Sequence, residues 1–289
     1  VELENLRKYF ESKLREFTEK EYPKNSKLSE AICYALCGQG KRVRPLLVLL
    51  MCEALGGKRE QAIEAAIALE MIHTYSLVHD DMPLLDNDSL RRGRKTVHIV
   101  YDEQTALLVG NSLLTDAFLL LVQADNLSSL QKEKMVKELS LASGSKGMLL
   151  GQSLDLYWTA RNDYTKEDLD HIHLKKTGAL LGCSCVLGSI AAGVLDPIFL
   201  ESCKKLGELV GQSFQIMDDL LDESQQTGKS SGKDKEQGKL TYLKIYDKKK
   251  CDKEARGLTA EALSFFSNLP LVDSRPLSNF FSSLLERTF

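Results

Sequence analysis

With 289 residues, 43% hydrophobic and 27% charged, the chain carries enough apolar mass for one large core and too much for a disordered polymer. A net charge of −3 offers no electrostatic basis for binding nucleic acid or an anionic membrane surface. Neither a basic-then-apolar leader nor eighteen uninterrupted apolar residues occurs, so a cytoplasmic chain without a membrane span is expected. Cys33, Cys37, Cys52, Cys183, Cys185, Cys203 and Cys251 are odd in number and lack paired CxxC knuckles. They read as reduced thiols, mostly in the core, with Cys33 and Cys37 in a helix interface.

In chain order, a tight basic segment, Gly40-Lys41-Arg42-Val43-Arg44-Pro45, comes first and presents three positive charges. Apolar residues at three- and four-residue spacing then predict helices over 61–82, 103–122, 130–157, 177–195 and 200–223. Pro83 ends the first of these and can turn Asp86 back toward Asp80. A second basic run, Leu90-Arg91-Arg92-Gly93-Arg94-Lys95, follows closely. The polar stretch 224–239, with Gly228, Gly232 and Gly238 among lysines, reads as a mobile loop. Strand signals, fixed-period repeats and interdomain linkers are missing, so the expectation is an all-α, single-domain bundle over 1–289.

Two acidic clusters, His79 to Asp86 and Met217 to Asp222, each end a long apolar helical run. Carboxylates gathered on an otherwise apolar face repel one another unless a hard cation neutralises them, and Mg²⁺ held this way shares its remaining positions with phosphate oxygens. Asp218 and Asp222 stand one helical turn apart, and Gln215 joins their stripe. His73 precedes Asp80 by about two turns and points the same way. Arginine's planar fork suits phosphate, so the basic runs beside the carboxylates predict a polyphosphate site; Arg91 and Arg92 would be neutralised by the carboxylates unless a phosphate lay between.

The ordered segments GKRVRP, MIHTYSLVHDDMPLLDNDSLRRG, GQSLDL, HLKKTGAL, FQIMDDLLD and GKDKEQGKLTY, spread from Gly40 to Tyr242, resemble the trans-isoprenyl diphosphate synthases, especially bacterial-type farnesyl and geranylgeranyl diphosphate synthases. The resemblance implies an all-α isoprenoid synthase fold, a homodimer, and both aspartate motifs on one deep central cavity. It implies that Asp80, Asp86 and Asp218 bind Mg²⁺ directly, three ions per site with Mn²⁺ as a substitute, while Asp81, Asp219 and Asp222 complete the negative shell partly through water. Arg91, Lys176, Thr177, Gln215, Lys233 and Lys239 resemble the groups that grip an allylic diphosphate; Lys41, Arg44, His73 and Arg92 resemble the isopentenyl diphosphate pocket. Asp80, Asp86, Lys176 and Asp218 form the implied catalytic set.

The implied reaction is a Mg²⁺-dependent head-to-tail condensation of isopentenyl diphosphate with dimethylallyl or geranyl diphosphate. Farnesyl diphosphate is the expected product. Tyr75 and Ser76 stand five and four residues before Asp80; five helical residues are roughly 7.5 Å, the depth at which a growing chain arrives. In relatives, residues at these positions set chain length, aromatic ones favouring shorter products. Geranylgeranyl diphosphate synthase is the second reading and a non-catalytic regulatory subunit the third; a terpene cyclase would have no use for Lys41, Arg44 and Arg92.

Overall fold

The computed structural model describes residues 2–159, 161, 163–224, 240–267 and 269–286, with the backbone alone for 221–224 and 285–286. Lys233, Lys239, the side chain of Asp222 and all but the first residue of the expected mobile loop therefore lie outside the described residues.

Helix α10 (Ala179–Ala191) is buried along its whole length. A helix apolar on every side needs neighbours on every side. It finds them in α3 (Val43–Ala54), α4 (Arg59–Asp80), α7 (Ser129–Ser143) and α11 (Pro197–Ser224). Contact with α11 is backbone to backbone: a Cβ on Gly211 would lie 2.8 Å from the Gly178 Cα, and one on Gly207 would lie 2.3 Å from the Leu181 carbonyl. Only glycine admits that approach, and it sets α11 directly against the start of α10.

The remaining helices dress this core. α1 (Glu2–Glu21) and α2 (Lys27–Leu36) precede it; α5 (Val97–Val100), α6 (Glu103–Gln123), α8 (Met148–Thr159) and α9 (Lys166–His173) lie between α4 and α10; α12 (Tyr242–Ile245), α13 (Lys248–Ser267) and α14 (Arg275–Glu286) follow α11. Local caps fix several starts: Ser128 and Gln131 cap α7 reciprocally, as Thr165 and Asp168 cap α9. The predicted helix over 130–157 is two helices, since the Ser143–Gly147 stretch breaks the ladder and lets α8 set off anew. Among the described residues, the extended structure is a ribbon of Leu90–Arg91 (β1) against Arg94–Lys95 (β2).

Five of the seven cysteines are buried, while Cys33 is intermediate and Cys37 exposed, so the expected interface position fails for Cys37. By length and composition alone α6 is long and apolar enough to cross a membrane. Its Val109, Leu113, Ala117 and Leu121 are buried, and the helix packs on α4, whereas Leu107, Leu108, Leu119 and Val122 remain exposed.

Candidate active site

Asp80 is the last residue of α4. Pro83 has no amide hydrogen to continue the helix, and the chain folds back, with the Asp86 amide donating to the Asp80 carbonyl at 2.9 Å. The return of Asp86 toward Asp80 thus follows the sequence expectation. Burial, reinforced by the charges of Asp86 and Asp81 and opposed by Lys176 and Arg91, pushes the Asp80 carboxyl up to about 6. A half-buried acid crowded by acids is the electrostatic deficit that a cation relieves.

Asp81 behaves differently. It is buried, and Arg91 donates to its Oδ1 from Nε at 2.9 Å and from Nη2 at 2.5 Å. The pairing agrees with the expectation that these charges neutralise one another unless a phosphate lies between them: Asp81 neutralises Arg91 here. The cavity beside this pair lies between α2, α4 and the ribbon and is lined by Tyr34, Thr74, Asp81, Arg91 and Arg92. It does not include Asp80 or Asp218, which the resemblance places together on one cavity.

A cationic wall stands next to it. Arg44 Nη1 donates to His73 Nε2 at 3.2 Å; a guanidinium cannot accept, so the imidazole does, and its proton sits on Nδ1. Burial first, then the charges of Arg44, Arg92, Arg42 and Arg91, hold His73 well below the usual histidine range. Burial also draws Arg44 down to about 10, and its Nε is enclosed without a hydrogen-bond partner. Arg92 Nη1 donates to the Gln39 carbonyl at 2.9 Å, where a Cβ on Gly40 would come within 2.3 Å of that nitrogen. Arg42 and Arg92 have φ of 54° and 53°, left-handed values that cost non-glycine residues energy and cluster at functional sites. Lys41 is exposed on the same segment.

Of the three charges in that segment, Arg42 is the exception. It turns inward, donating to Glu70 Oε1 at 2.6 Å and to the carbonyls of Leu36 and Gly38 at 3.0 and 2.6 Å. Glu70 belongs to the missed residues; its signal was a lone acid between Leu69 and Met71 in the apolar centre of α4.

Lys176 and Thr177 sit on a π-helical turn, Leu174–Gly178, that joins α9 to α10. Single π-turns inside helices recur at functional sites, because the extra residue re-aims its neighbours. Helix α8 touches this turn through Gly151, where a Cβ would lie 2.2 Å from the Lys176 nitrogen. That proximity lets Lys176 Nζ reach Asp155 Oδ2 at 2.5 Å, a second residue missed although its GQSLDL segment stood out. Thr177 Oγ1 donates to Gln215 Oε1 at 3.3 Å, which connects the turn to α11 one turn before Asp218. The π-turn thereby links the two acidic clusters: Lys176 acts on Asp80, and Thr177 on the stripe of Asp218.

Asp219, expected to contribute through water, is buried and accepts from the Tyr242 amide at 2.9 Å and from Gln215 Nε2 at 3.5 Å. Its oxygens serve the protein. Tyr75 is also buried, its ring edge-on to His79 at 5.8 Å, and His79 Nε2 donates to the Leu107 carbonyl of α6 at 3.2 Å. Tyr75 therefore shares the His79 side of α4, and its hydroxyl is buried without a partner. Ser76 is half-buried, and its hydroxyl bonds back to the His73 carbonyl at 2.9 Å.

The helical architecture and its likeness to solved isoprenyl diphosphate synthases define an isoprenoid synthase fold. A polyprenyl synthetase family model matches residues 25–267. Geranylgeranyl pyrophosphate synthase 4 of Arabidopsis thaliana is 42% identical over 86% of this chain and 68% of its own length. Farnesyl diphosphate synthase of Micrococcus luteus is 43% identical over 78% of each chain. A solved geranyltransferase from Helicobacter pylori, complexed with magnesium and isoprenyl diphosphate, has 31% identity and a TM-score of 0.84 over 99% of this chain and 95% of that one. The chain belongs to the polyprenyl synthetase family. It is a prenyltransferase of the kind that elongates prenyl chains, and the family is magnesium-dependent.

Proposed function

We propose that this enzyme condenses isopentenyl diphosphate with dimethylallyl and then geranyl diphosphate and stops at all-trans farnesyl diphosphate. Its donor set fits magnesium. Asp80 and Asp86 would supply hard oxygen ligands held together by the turn, and Asp218 would join them from α11, three residues after the Gln215 that Thr177 of the π-turn reaches. Among the described residues no three His, Cys, Asp or Glu side chains come together as a group that could hold a metal ion; in this reading the ions would take their remaining ligands from substrate phosphate and water. Bound magnesium, three ions in this reading with Mn²⁺ able to replace it, stabilises negative charge on the departing diphosphate.

The chain's own groups divide the remaining work. Lys176 and Thr177, with Gln215 and Arg91, hold the allylic diphosphate, Arg91 exchanging Asp81 for phosphate; Lys233 and Lys239 join them in this reading. Lys41, Arg44, His73 and Arg92 hold isopentenyl diphosphate, and the convergence of Arg44, Arg92, Arg42 and Arg91 charges on His73 supports an anion there. That second anion pocket disfavours a terpene cyclase. Positive charge preorganised around the leaving group lowers the barrier to ionisation, and the apolar depth of α4 keeps water from the resulting cation.

The observation that carries the product assignment is Tyr75. Its hydroxyl is buried with no partner, a situation that costs about 1–3 kcal/mol, so bulk rather than polarity explains its presence as a floor. Tyr75→Ala is expected to lengthen the main product from fifteen to twenty or more carbons, and Tyr75→Phe to leave it unchanged. Radiolabelled isopentenyl diphosphate, each allylic starter and chromatography of the products measure this. Identical distributions for wild type and Tyr75→Ala would remove the support for farnesyl. The plant relatives named for geranylgeranyl pyrophosphate favour that product as the second reading, which the same assay separates.

The active form is a homodimer in this proposal, and the cytoplasm its compartment. The exposed Leu107, Leu108, Leu119 and Val122 stripe of α6 supports the interface. Leu108→Glu with Leu119→Glu is expected to halve the mass seen by light scattering at micromolar concentration; an unaltered dimer would place the interface elsewhere.

A further inference from the structure

Tyr242, the first residue of α12, has no part in the assignments above, yet it is 1% exposed and ties three elements together. Its amide donates to Asp219 Oδ2 at 2.9 Å on α11. Its hydroxyl donates to Asp170 Oδ1 on α9. Its ring lies 5.1 Å from that of His173, the last residue of α9 before the π-turn. Asp170 is itself braced, since Lys166 Nζ reaches its Oδ2 at 2.6 Å and Glu254 of α13 at 3.0 Å.

Two routes leave this residue and end at the same place. One runs through Asp219 to Gln215 Nε2 at 3.5 Å, and from Gln215 Oε1 to the Thr177 hydroxyl at 3.3 Å. The other runs through Asp170 and His173 directly into Leu174, where the π-turn begins. Neither route passes through a group assigned to direct Mg²⁺ binding. Both terminate on the segment bearing Lys176 and Thr177.

We propose that Tyr242 is a positioning residue for the allylic half of the site: by clamping Asp219 to α9 it places Gln215, Thr177 and Lys176 without touching substrate. This rests on the assignment of those three groups to the allylic diphosphate. Isopentenyl diphosphate, held by Lys41 just before α3, Arg44 on α3, His73 on α4 and Arg92 at the turn of the ribbon, lies outside the clamp. The two substrates must therefore respond differently to its loss.

Tyr242→Phe keeps the ring and the amide bond to Asp219 and removes the hydroxyl alone; Asp170→Asn keeps an acceptor for that hydroxyl. In the full chain with magnesium, Tyr242→Phe is expected to raise the allylic KM roughly tenfold with the isopentenyl KM held within about twofold, and Asp170→Asn to have a smaller effect. Amide hydrogen exchange at residues 174–178 and 215–219 is expected to accelerate in Tyr242→Phe and to be unchanged in α3. Equal rises in both KM values, an allylic KM near wild type, or unaltered exchange at 174–178 overturns the clamp. A wild-type protein that fails to condense the two diphosphates refutes the functional reading instead, and the exchange measurement still decides whether Tyr242 governs the π-turn.

Discussion

Asp80→Ala lowers turnover by at least about a thousandfold in the expected outcome, because it removes a cation ligand and the negative charge that offsets bound magnesium. The same substitution should not weaken the fold. Asp80 is held up to about 6 by burial and by Asp86 and Asp81, above the ordinary carboxylate value. A carboxyl raised on folding destabilises the protein once pH exceeds its unfolded pKa, with the cost complete above pH about 6 and absent at low pH. At pH 8 the alanine variant is therefore expected to melt no lower than wild type while losing activity. Steady-state assay of pyrophosphate release and a thermal melt followed by circular dichroism read the two effects separately. Turnover within about tenfold of wild type would mean that Asp80 is no essential ligand; a lower melting temperature would mean that its carboxylate stabilises the free protein.

Glu70→Ala should act in the opposite sense, on the fold first. Arg42 and Glu70 side chains are 4% and 3% exposed and meet at 2.6 Å. Breaking a buried pair strands the surviving charge, at a cost of about 3–5 kcal/mol. For a chain of this size each kcal/mol shifts the melting temperature by about 2–4 °C, so a fall of roughly 6–20 °C is expected. The double variant Glu70→Leu with Arg42→Met should recover much of it, since apolar replacement of a buried pair is often neutral. Activity need not recover with stability. Arg42 holds its left-handed φ through bonds to Leu36 and Gly38, and that turn presents Lys41 and Arg44. A Glu70→Ala protein that melts within about 2 °C of wild type would show that Arg42 is not left as an uncompensated buried charge.

The acidic clusters and the basic segments were legible because each breaks a local pattern: charge appears where helical periodicity calls for apolar residues, and Pro83 marks the place where the chain turns. Periodicity also revealed the helices over 61–82, 103–122 and 200–223 to within a few residues. It missed the break between α7 and α8. Apolar spacing on either side of Ser143–Gly147 stays in phase, while the backbone there is redirected by the packing of α8 on the π-turn.

The amino-acid order by itself determined the all-α class, the family, and which charges belong to the two clusters, since helical phase and ordered motifs are properties of a single strand of text. Only the tertiary structure decided what each charge faces. Arg42 and Arg44 stand two residues apart, yet one is spent on Glu70 and the other on His73. Asp80 and Asp81 are neighbours, yet one meets Lys176 and Asp86 while the other is bound by Arg91. Asp155 and Tyr242 gain their partners through Gly151, which lets α8 onto the π-turn, and through Asp219, which draws the start of α12 to α11. Electrostatic partnership falls off over a few ångströms of space, and spacing along the chain does not set distances between helices.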